Sequence, residues 1–348
     1  MKKGFPFRKN CGMIEKWKGF GNMKFAMISG WHVHAEDYAQ QLQKLEGCDI
    51  SAVWDEDAER GSRWAKKLGC PMIEDYDGIL ADPQIEGIVM TAPTSMHGEL
   101  LWKAAQAGKH IFTEKVLALT NEECHKIKAA VDKSGKQFVI SFPFLCREDF
   151  QFAKMFLEEG KLGRVTYIRV RDVHNGSSAG WLPPHFYDKD TCGGGAMIDL
   201  GAHPMYLLNW FLGMPLTIQS SFTNVTGKPV EDNAVSVMEF PGGVIGVAET
   251  GFVSGYNPVT LEISGTEGSL MIRDGVFYAN QETDGKWVEK TGFSDGWKRP
   301  IELWVEAIRS GEKTQIGIDP AVALTKLMTA AYEAYRTGKT YYFSDKDL

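Results

Sequence analysis

Between Phe25 and Phe144, short apolar runs alternate with stretches of helical spacing. The runs are FAMI (25–28), DISAVWD (49–55), GIVMTAP (87–93), HIFTEKV (110–116) and QFVISFPF (137–144). Between them lie AEDYAQQLQKL (35–45), DAERGSRWAKKLG (57–69), GELLWKAAQAGK (98–109) and NEECHKIKAAVDKSG (121–135). In the first of these, Tyr38, Leu42 and Leu45 share one stripe; the second is closed by a glycine. Apolar strands joined by helices bury both faces in a parallel, doubly wound sheet. Right-handed crossovers then put every strand's C-terminal end on one edge, which is where ligands bind.

The pattern changes near residue 144. After one helix, FQFAKMFLEEGKLG, long strand-like runs dominate: RVTYIRVRDVH, TIQSSFTNVTG, AVSVMEF, GVIGVAETGFV, VTLEISGTEGSLMIRDG and VFYANQ. Turn signals such as PGG and RDG separate several of them, so a large, mostly antiparallel open sheet is expected. Two helices follow, IELWVEAIRSG and PAVALTKLMTAAYEAYRTG. The expected organisation is an extension over 1–23, a dinucleotide-binding α/β domain over 24–143, and a substrate-binding and oligomerising α+β domain over 144–348. A sheet with one uncovered face predicts a homodimer or homotetramer.

Composition narrows the function classes. The net charge of −7 argues against a nucleic-acid partner. The six cysteines contain no C-x-x-C pair, against a zinc ribbon or a disulfide framework. No apolar run approaches the roughly 20 residues that span a bilayer. The basic first 22 residues lack the apolar core of a secretory signal, so a cytoplasmic protein is expected.

The first strand ends in SGWHVHA, where a dinucleotide loop usually carries G-x-G-x-x-G. Only Gly30 stands, among Ser29, Trp31, His32 and His34. A helix N-terminus still supplies a field for phosphate, so an altered nucleotide loop is expected. A metal site from His32 and His34 is not expected, because alternate residues diverge on a strand and no third ligand is evident. Asp55 ends the second strand: it either accepts from the adenine ribose hydroxyls, favouring NAD over NADP, or is an acidic cap of the next helix. In TAPTSMH, Thr91 and Pro93 line the nicotinamide edge or form an ordinary turn with Ser95 as cap. Glu114 and Lys115 end another strand; the lysine holds a substrate hydroxyl or makes a surface ion pair. In GGGAMIDLGAHPMYLLNW the glycines permit close approach to a ligand, and Asp199 and His203, four apart, share one helix face. A carboxylate there would orient the histidine as a general base; otherwise His203 is a satisfied core residue. Trp181, His185 and Tyr187, in the segment 174–195, suit stacking on a sugar face or simply pack on the surface.

Two runs then carry a resemblance. VMTAPTSMHGELLWKAAQAGKHIFTEKVLALTNEECHKIKAAVDKSG resembles the Gfo/Idh/MocA signature of T-P-x-x-x-H, A-G-K-H and E-K-P, and GGGAMIDLGAHPMYLLNWFLG resembles that family's G-G-x-x-x-D-x-G-x-H. The likeness runs from about Lys24 to Phe343, with Val116 replacing the proline of E-K-P. It implies an N-terminal Rossmann domain and NAD- or NADP-dependent hydride transfer on sugars, polyols or cyclitols. It implies catalytic roles for Lys115, Asp199 and His203, and adds His97 to the cofactor side. Competing readings are an enzyme that cleaves glycosides with tightly bound, transiently reduced NAD, and a non-catalytic NAD or sugar sensor.

Overall fold

The computed structural model describes residues 21–256, 259–293 and 298–344; most of the expected extension, residues 1–20, lies outside them. The first half is a five-stranded parallel sheet in the order β2-β1-β3-β4-β5, with β1 Met23–Ile28, β2 Cys48–Trp54, β3 Ile85–Met90, β4 His110–Thr113 and β5 Phe138–Ile140. The helices between them are α1 Ala35–Gln43, α2 Ala58–Leu68, α3 Tyr76–Ala81, α4 Thr94–Gln106 and α5 Asn121–Ser134. Their ends follow local chemistry. The Asp57 carboxylate accepts from the Arg60 amide at 2.9 Å to start α2, and Gly69 at φ 73° stops it. Thr120 and Glu123 form a reciprocal capping box on α5. The short α3 has no apolar period to reveal it; Asp75, accepting from the Asp77 amide, starts it.

The strand ends set the site. Ile28 pairs in register with Trp54 on one side and Met90 on the other, and Met90 pairs with Thr113. The next residues are therefore Ser29, Asp55, Thr91 and Glu114, four buried polar groups along one edge. The order of strands reverses at β1 and β3, the crevice where such sheets take ligands.

The second half is a nine-stranded sheet in the order β13-β12-β11-β10-β6-β9-β8-β7-β14. Its strands are β6 Val165–Val173, β7 Thr217–Thr223, β8 Asn233–Phe240, β9 Val244–Gly251, β10 Thr260–Gly265, β11 Gly268–Ile272, β12 Val276–Asn280, β13 Val288–Lys290 and β14 Tyr341–Tyr342. All neighbours are antiparallel except β6 and β9. Its helices are α6 Glu148–Glu158, α7 Lys189–Cys192, α8 Ala202–Leu212, α9 Pro300–Ser310 and α10 Ile318–Thr337. Helices α8 and α10 pack on one face. The opposite face carries the Arg169–Glu249 ion pair at 2.7 Å and exposed Val237 and Ile245. Late in the chain α9 returns to the first sheet, packing on β4 and β5, with the Trp304 ring 4.9 Å from Phe25 and 5.9 Å from Phe112. One continuous apolar core spans both sheets.

Candidate active site at the strand ends

The loop after β1 is tied down by its own chain. Ser29 takes φ 68°, the left-handed conformation usually left to glycine, and its hydroxyl accepts from the Trp31 amide at 3.1 Å. The Gly30 amide donates to Asp55 at 2.8 Å, and the His32 amide to the Thr91 carbonyl at 3.1 Å. The Thr91 hydroxyl is spent on the Ser29 carbonyl, so Thr91 pins the loop. His34 and Ala35 donate back to His32. Among amides 30–35, only Val33 has no described acceptor. The glycine fingerprint's row of free amides is thus replaced by the N-terminus of α1, whose N-cap His34 makes no side-chain cap. Asp55 also accepts from the Asp57 amide and from Arg60 at 3.0 and 2.5 Å. It is at once the acid of the strand end and a charge-paired anchor. Pro93 stands immediately before α4. His97 is fully buried and bridges the carbonyls of Val116 (2.8 Å) and Ala92 (3.1 Å), tying two loops together and turned away from open space. The Lys115–Val116 peptide is cis.

Glu114 is 2% exposed and gathers groups distant in sequence. It accepts from the Tyr38 hydroxyl and from the Lys115 amide at 3.0 Å, and His34 Nδ1 lies 2.8 Å away. The expected divergence of His32 and His34 does not occur. Residues 31–34 form a turn, not a strand, and bring the two rings to 4.7 Å between centroids. Glu114 is the third candidate ligand that the sequence did not reveal. Burial pushes His32 down to about 4; for His34 burial acts the same way, but Glu114 outweighs it and raises the ring's pKa.

Lys115 reaches across to the second half. Its Nζ donates to Asp199 Oδ1 at 2.5 Å and to the Asp199 carbonyl at 3.0 Å. Burial opposes charge on both groups, yet each holds the other ionised: Lys115 above the ordinary lysine range, Asp199 below the ordinary aspartate range. Asp199 does not orient His203. It lies in turns that precede α8, so the helical spacing assumed from the sequence is absent. The partner of His203 is Tyr206, one turn on, with Nδ1 3.0 Å from the phenol oxygen, which also accepts from the Phe144 amide at 3.2 Å. Burial and then Lys115 push His203 down to about 3, so it is neutral at ordinary pH. The glycines before Asp199 face protein: a Cβ at Gly194 would stand 2.0 Å from the Tyr332 hydroxyl, and one at Gly195 2.1 Å from the Glu231 carbonyl. The expected approach to a ligand is therefore taken up by packing.

The segment over the site divides. His185 and Phe186 pack on Trp31 with centroids 4.6 and 5.7 Å away, so His185 covers the nucleotide loop. The Tyr187 hydroxyl, which is buried, accepts from Ser177 at 2.9 Å. Trp181 is exposed, its indole N–H fixed by Asn175 at 3.0 Å and its ring 4.7 Å from His174. His174 and Asp172, at the end of β6, are site neighbours that the sequence reading missed; only their position at a strand end pointed to them.

Asp172 is buried. Burial, reinforced by Asp199, lifts it to about 7. His203 is neutral well below neutrality, whereas Asp172 changes charge near it. The ordinary aspartate value is about 3.9, so between it and 7 the folded state holds a proton that the unfolded state has lost. Stability from this group is full below about pH 4 and is lost as pH rises through 7. Asp172→Asn should therefore gain melting temperature relative to the parent at about pH 8 but not at about pH 4, in thermal melts. An equal offset at both would contradict the assignment.

Known proteins match both halves of this chain. Residues 19–142 match the oxidoreductase family with NAD-binding Rossmann fold, and residues 150–271 match the GFO/IDH/MocA C-terminal domain. The scyllo-inositol 2-dehydrogenase (NAD(+)) of Bacillus subtilis (strain 168) is 28% identical over 316 residues, covering 85% of this chain and 89% of that protein. GenD2 from gentamicin A biosynthesis, solved in complex with NAD, superposes with a TM-score of 0.80 at 25% identity, covering 93% of this chain and 97% of that one. Levoglucosan dehydrogenase, in complex with NADH and levoglucosan, gives 0.81 at 20% identity over 92% of this chain and 99% of that one, a likeness of fold.

Proposed function

The chain belongs to the Gfo/Idh/MocA family of NAD-binding oxidoreductases, and from that premise we propose that it oxidises a hydroxyl-bearing carbon of a sugar, polyol or cyclitol with NAD as acceptor. The observation that carries this reading is the buried Lys115–Asp199 pair beside the aligned strand ends, with His203 within its field. An ammonium has three N–H groups; two are committed to Asp199, and the third is left for a substrate oxygen. Asp199 keeps Lys115 charged and aimed. His203 takes the hydroxyl proton at Nε2. For that, Nδ1 must carry the ring proton and donate it to the Tyr206 oxygen, which makes Tyr206 the positioning residue. As the O–H proton leaves for His203, the C–H electron pair leaves as hydride and the carbonyl forms. Bound nicotinamide supplies the hydride acceptor.

The cofactor would lie along Ser29, Gly30, Trp31, His32, Asp55, Thr91, Pro93 and Glu114, with Asp55 toward the adenine ribose. A carboxylate there opposes a 2′-phosphate. NAD should bind at least about tenfold more tightly than NADP, about 1.4 kcal/mol. Asp55→Ala should erode that preference, because it removes one of the two carboxylates that hold the Arg60 guanidinium, Asp55 and Glu56 both at 2.5 Å, and leaves part of that guanidinium for a phosphate. Calorimetry that found NADP tighter in the parent, or an unchanged ratio in the variant, would contradict it. Trp181 and His174 are the candidate walls of the substrate side. The uncovered sheet face is the candidate surface for a homodimer or homotetramer, which light scattering at micromolar concentration tests; a monomer would contradict it. Among the described residues, no helix is long and apolar enough to cross a membrane.

The glycoside-cleaving alternative shares these residues but yields no net NADH. The sensor reading leaves the third N–H of the buried Lys115 ammonium without a chemical role. NADH absorbance across a panel of polyols and sugars identifies the dehydrogenase, and release of free sugar from glycosides without net NADH separates the cleaving enzyme from the sensor.

A further inference from the structure

We propose that His32, His34 and Glu114 form a binding site for one divalent transition-metal ion of the zinc class, distinct from the Lys115–Asp199–His203 group. One ligand atom from each residue lies within 4.8 Å of the others. Glu114 Oε1 stands 2.8 Å from His34 Nδ1 and 3.7 Å from His32 Nδ1. Zinc bonds nitrogen and oxygen at about 2.0–2.2 Å, so ligands of one tetrahedral ion stand roughly 3.3 Å apart. The two separations to Glu114 bracket that spacing, and the two imidazoles each offer a nitrogen within 4.8 Å of the other.

The charge balance points the same way. Glu114 is 2% exposed. Its contacts are two imidazoles, a phenol and a backbone amide, while the Lys115 ammonium beside it is turned to Asp199. A buried carboxylate without a permanent cation in contact is costly, and a divalent ion supplies that cation. The carboxylate is already oriented as a metal ligand requires: Tyr38 donates to Oε1 and its hydroxyl lies 2.7 Å from Ser141, and the Lys115 amide donates to Oε2. His34 is half exposed, which gives an ion a way in, and His32 closes the inner side. The contact that the ion displaces is the His34 amide on His32 Nδ1, at 3.2 Å. Two imidazoles and one carboxylate select zinc, cobalt or nickel over magnesium or calcium. Three protein ligands leave a fourth position open to water or to a ligand oxygen at the strand ends.

The test uses the full chain stripped with a chelator and titrated with Co²⁺, read by visible absorbance and by calorimetry. The expected result is one ion per chain with a ligand-field band. His32→Ala/His34→Ala should abolish that band, and His34→Ala alone, at a half-exposed position, should weaken binding strongly without unfolding the protein. Tyr38→Phe, which leaves all three ligands, should weaken binding about 10–100-fold. Absence of the band in the parent, or a band unchanged in the double variant, would overturn the site. None of these readouts involves turnover, so they stand or fall separately from the proposed dehydrogenation.

Discussion

Lys115→Ala and His203→Ala are each expected to lower turnover by about 10²–10⁴-fold while leaving NAD affinity close to the parent's. Both residues act on charge that develops only as the proton leaves, so their removal costs the transition state more than the bound state. The two should differ in how they fail. Lys115→Ala leaves the Asp199 carboxylate buried without its cation, so it should also lose stability; Lys115→Met with Asp199→Asn, which removes both charges, separates the two effects. His203 is neutral in the parent, and its replacement removes one partner of the Tyr206 oxygen while the Phe144 amide keeps its bond to that oxygen, so His203→Ala leaves no buried charge unpaired and should lose less stability than Lys115→Ala. Tyr206→Phe should lower turnover less than His203→Ala and should not be rescued by an exogenous base, because it shifts a tautomer and removes no proton acceptor. Steady-state kinetics with a calorimetric NAD titration reads all of these. Near-native turnover in both alanine variants would show that the group is not catalytic.

The second large effect is on stability. Asp199→Ala should cost about 3–5 kcal/mol, the range found when one partner of a buried pair is removed and the other left charged. The side chains are 4% and 19% exposed for Lys115 and Asp199, so solvent screens the pair little. The pH dependence has a definite sign on both sides. Burial works against the Asp199 charge, but Lys115 holds its pKa below the ordinary value, so its contribution is full above about pH 4 and lost as pH falls through the depressed value. Lys115 is held above its ordinary value, so its contribution is full below about pH 10 and lost as pH rises further. Denaturant melts of the parent and Asp199→Ala should therefore differ most between those limits and converge at low pH. A difference that grows as pH falls below about 4 would contradict the pairing.

The edge on which the site is built was legible because each strand of the first sheet is an apolar run that stops at a polar residue. Ser29, Asp55, Thr91 and Glu114 could be named before any geometry was known, and the register then aligns them. What each of them touches was not legible. Thr91 and Asp55 hold the loop after β1, because that loop lacks the glycines that would let it stand free. Helical spacing misled at Asp199 and His203: the chain there is a set of turns, and a Cβ at Gly201 would stand 2.3 Å from the Met197 carbonyl. Tyr206 was within reach of the same reasoning, three residues along a true helix, but a tyrosine in an apolar helix reads as core. The company of Glu114 was out of reach, since Tyr38 and His34 stand 76 and 80 residues away and only the β1–β3–β4 order brings them together. The return of α9 to the first sheet, through Trp304, is likewise a tertiary event with no local signal.

In the proposed reaction, hydride passes from a substrate carbon to nicotinamide at Lys115 and His203. The most direct measurement presents the parent protein and Lys115→Ala with NAD and a panel of sugars, polyols and cyclitols deuterated at the carbinol carbons, and follows NADH by absorbance and its deuterium content by mass spectrometry. At least one compound should yield NADH carrying the substrate's deuterium, with the rate falling about 10²–10⁴-fold in Lys115→Ala. NAD that binds without accepting deuterium from any of them, or a rate unchanged in Lys115→Ala, would contradict it.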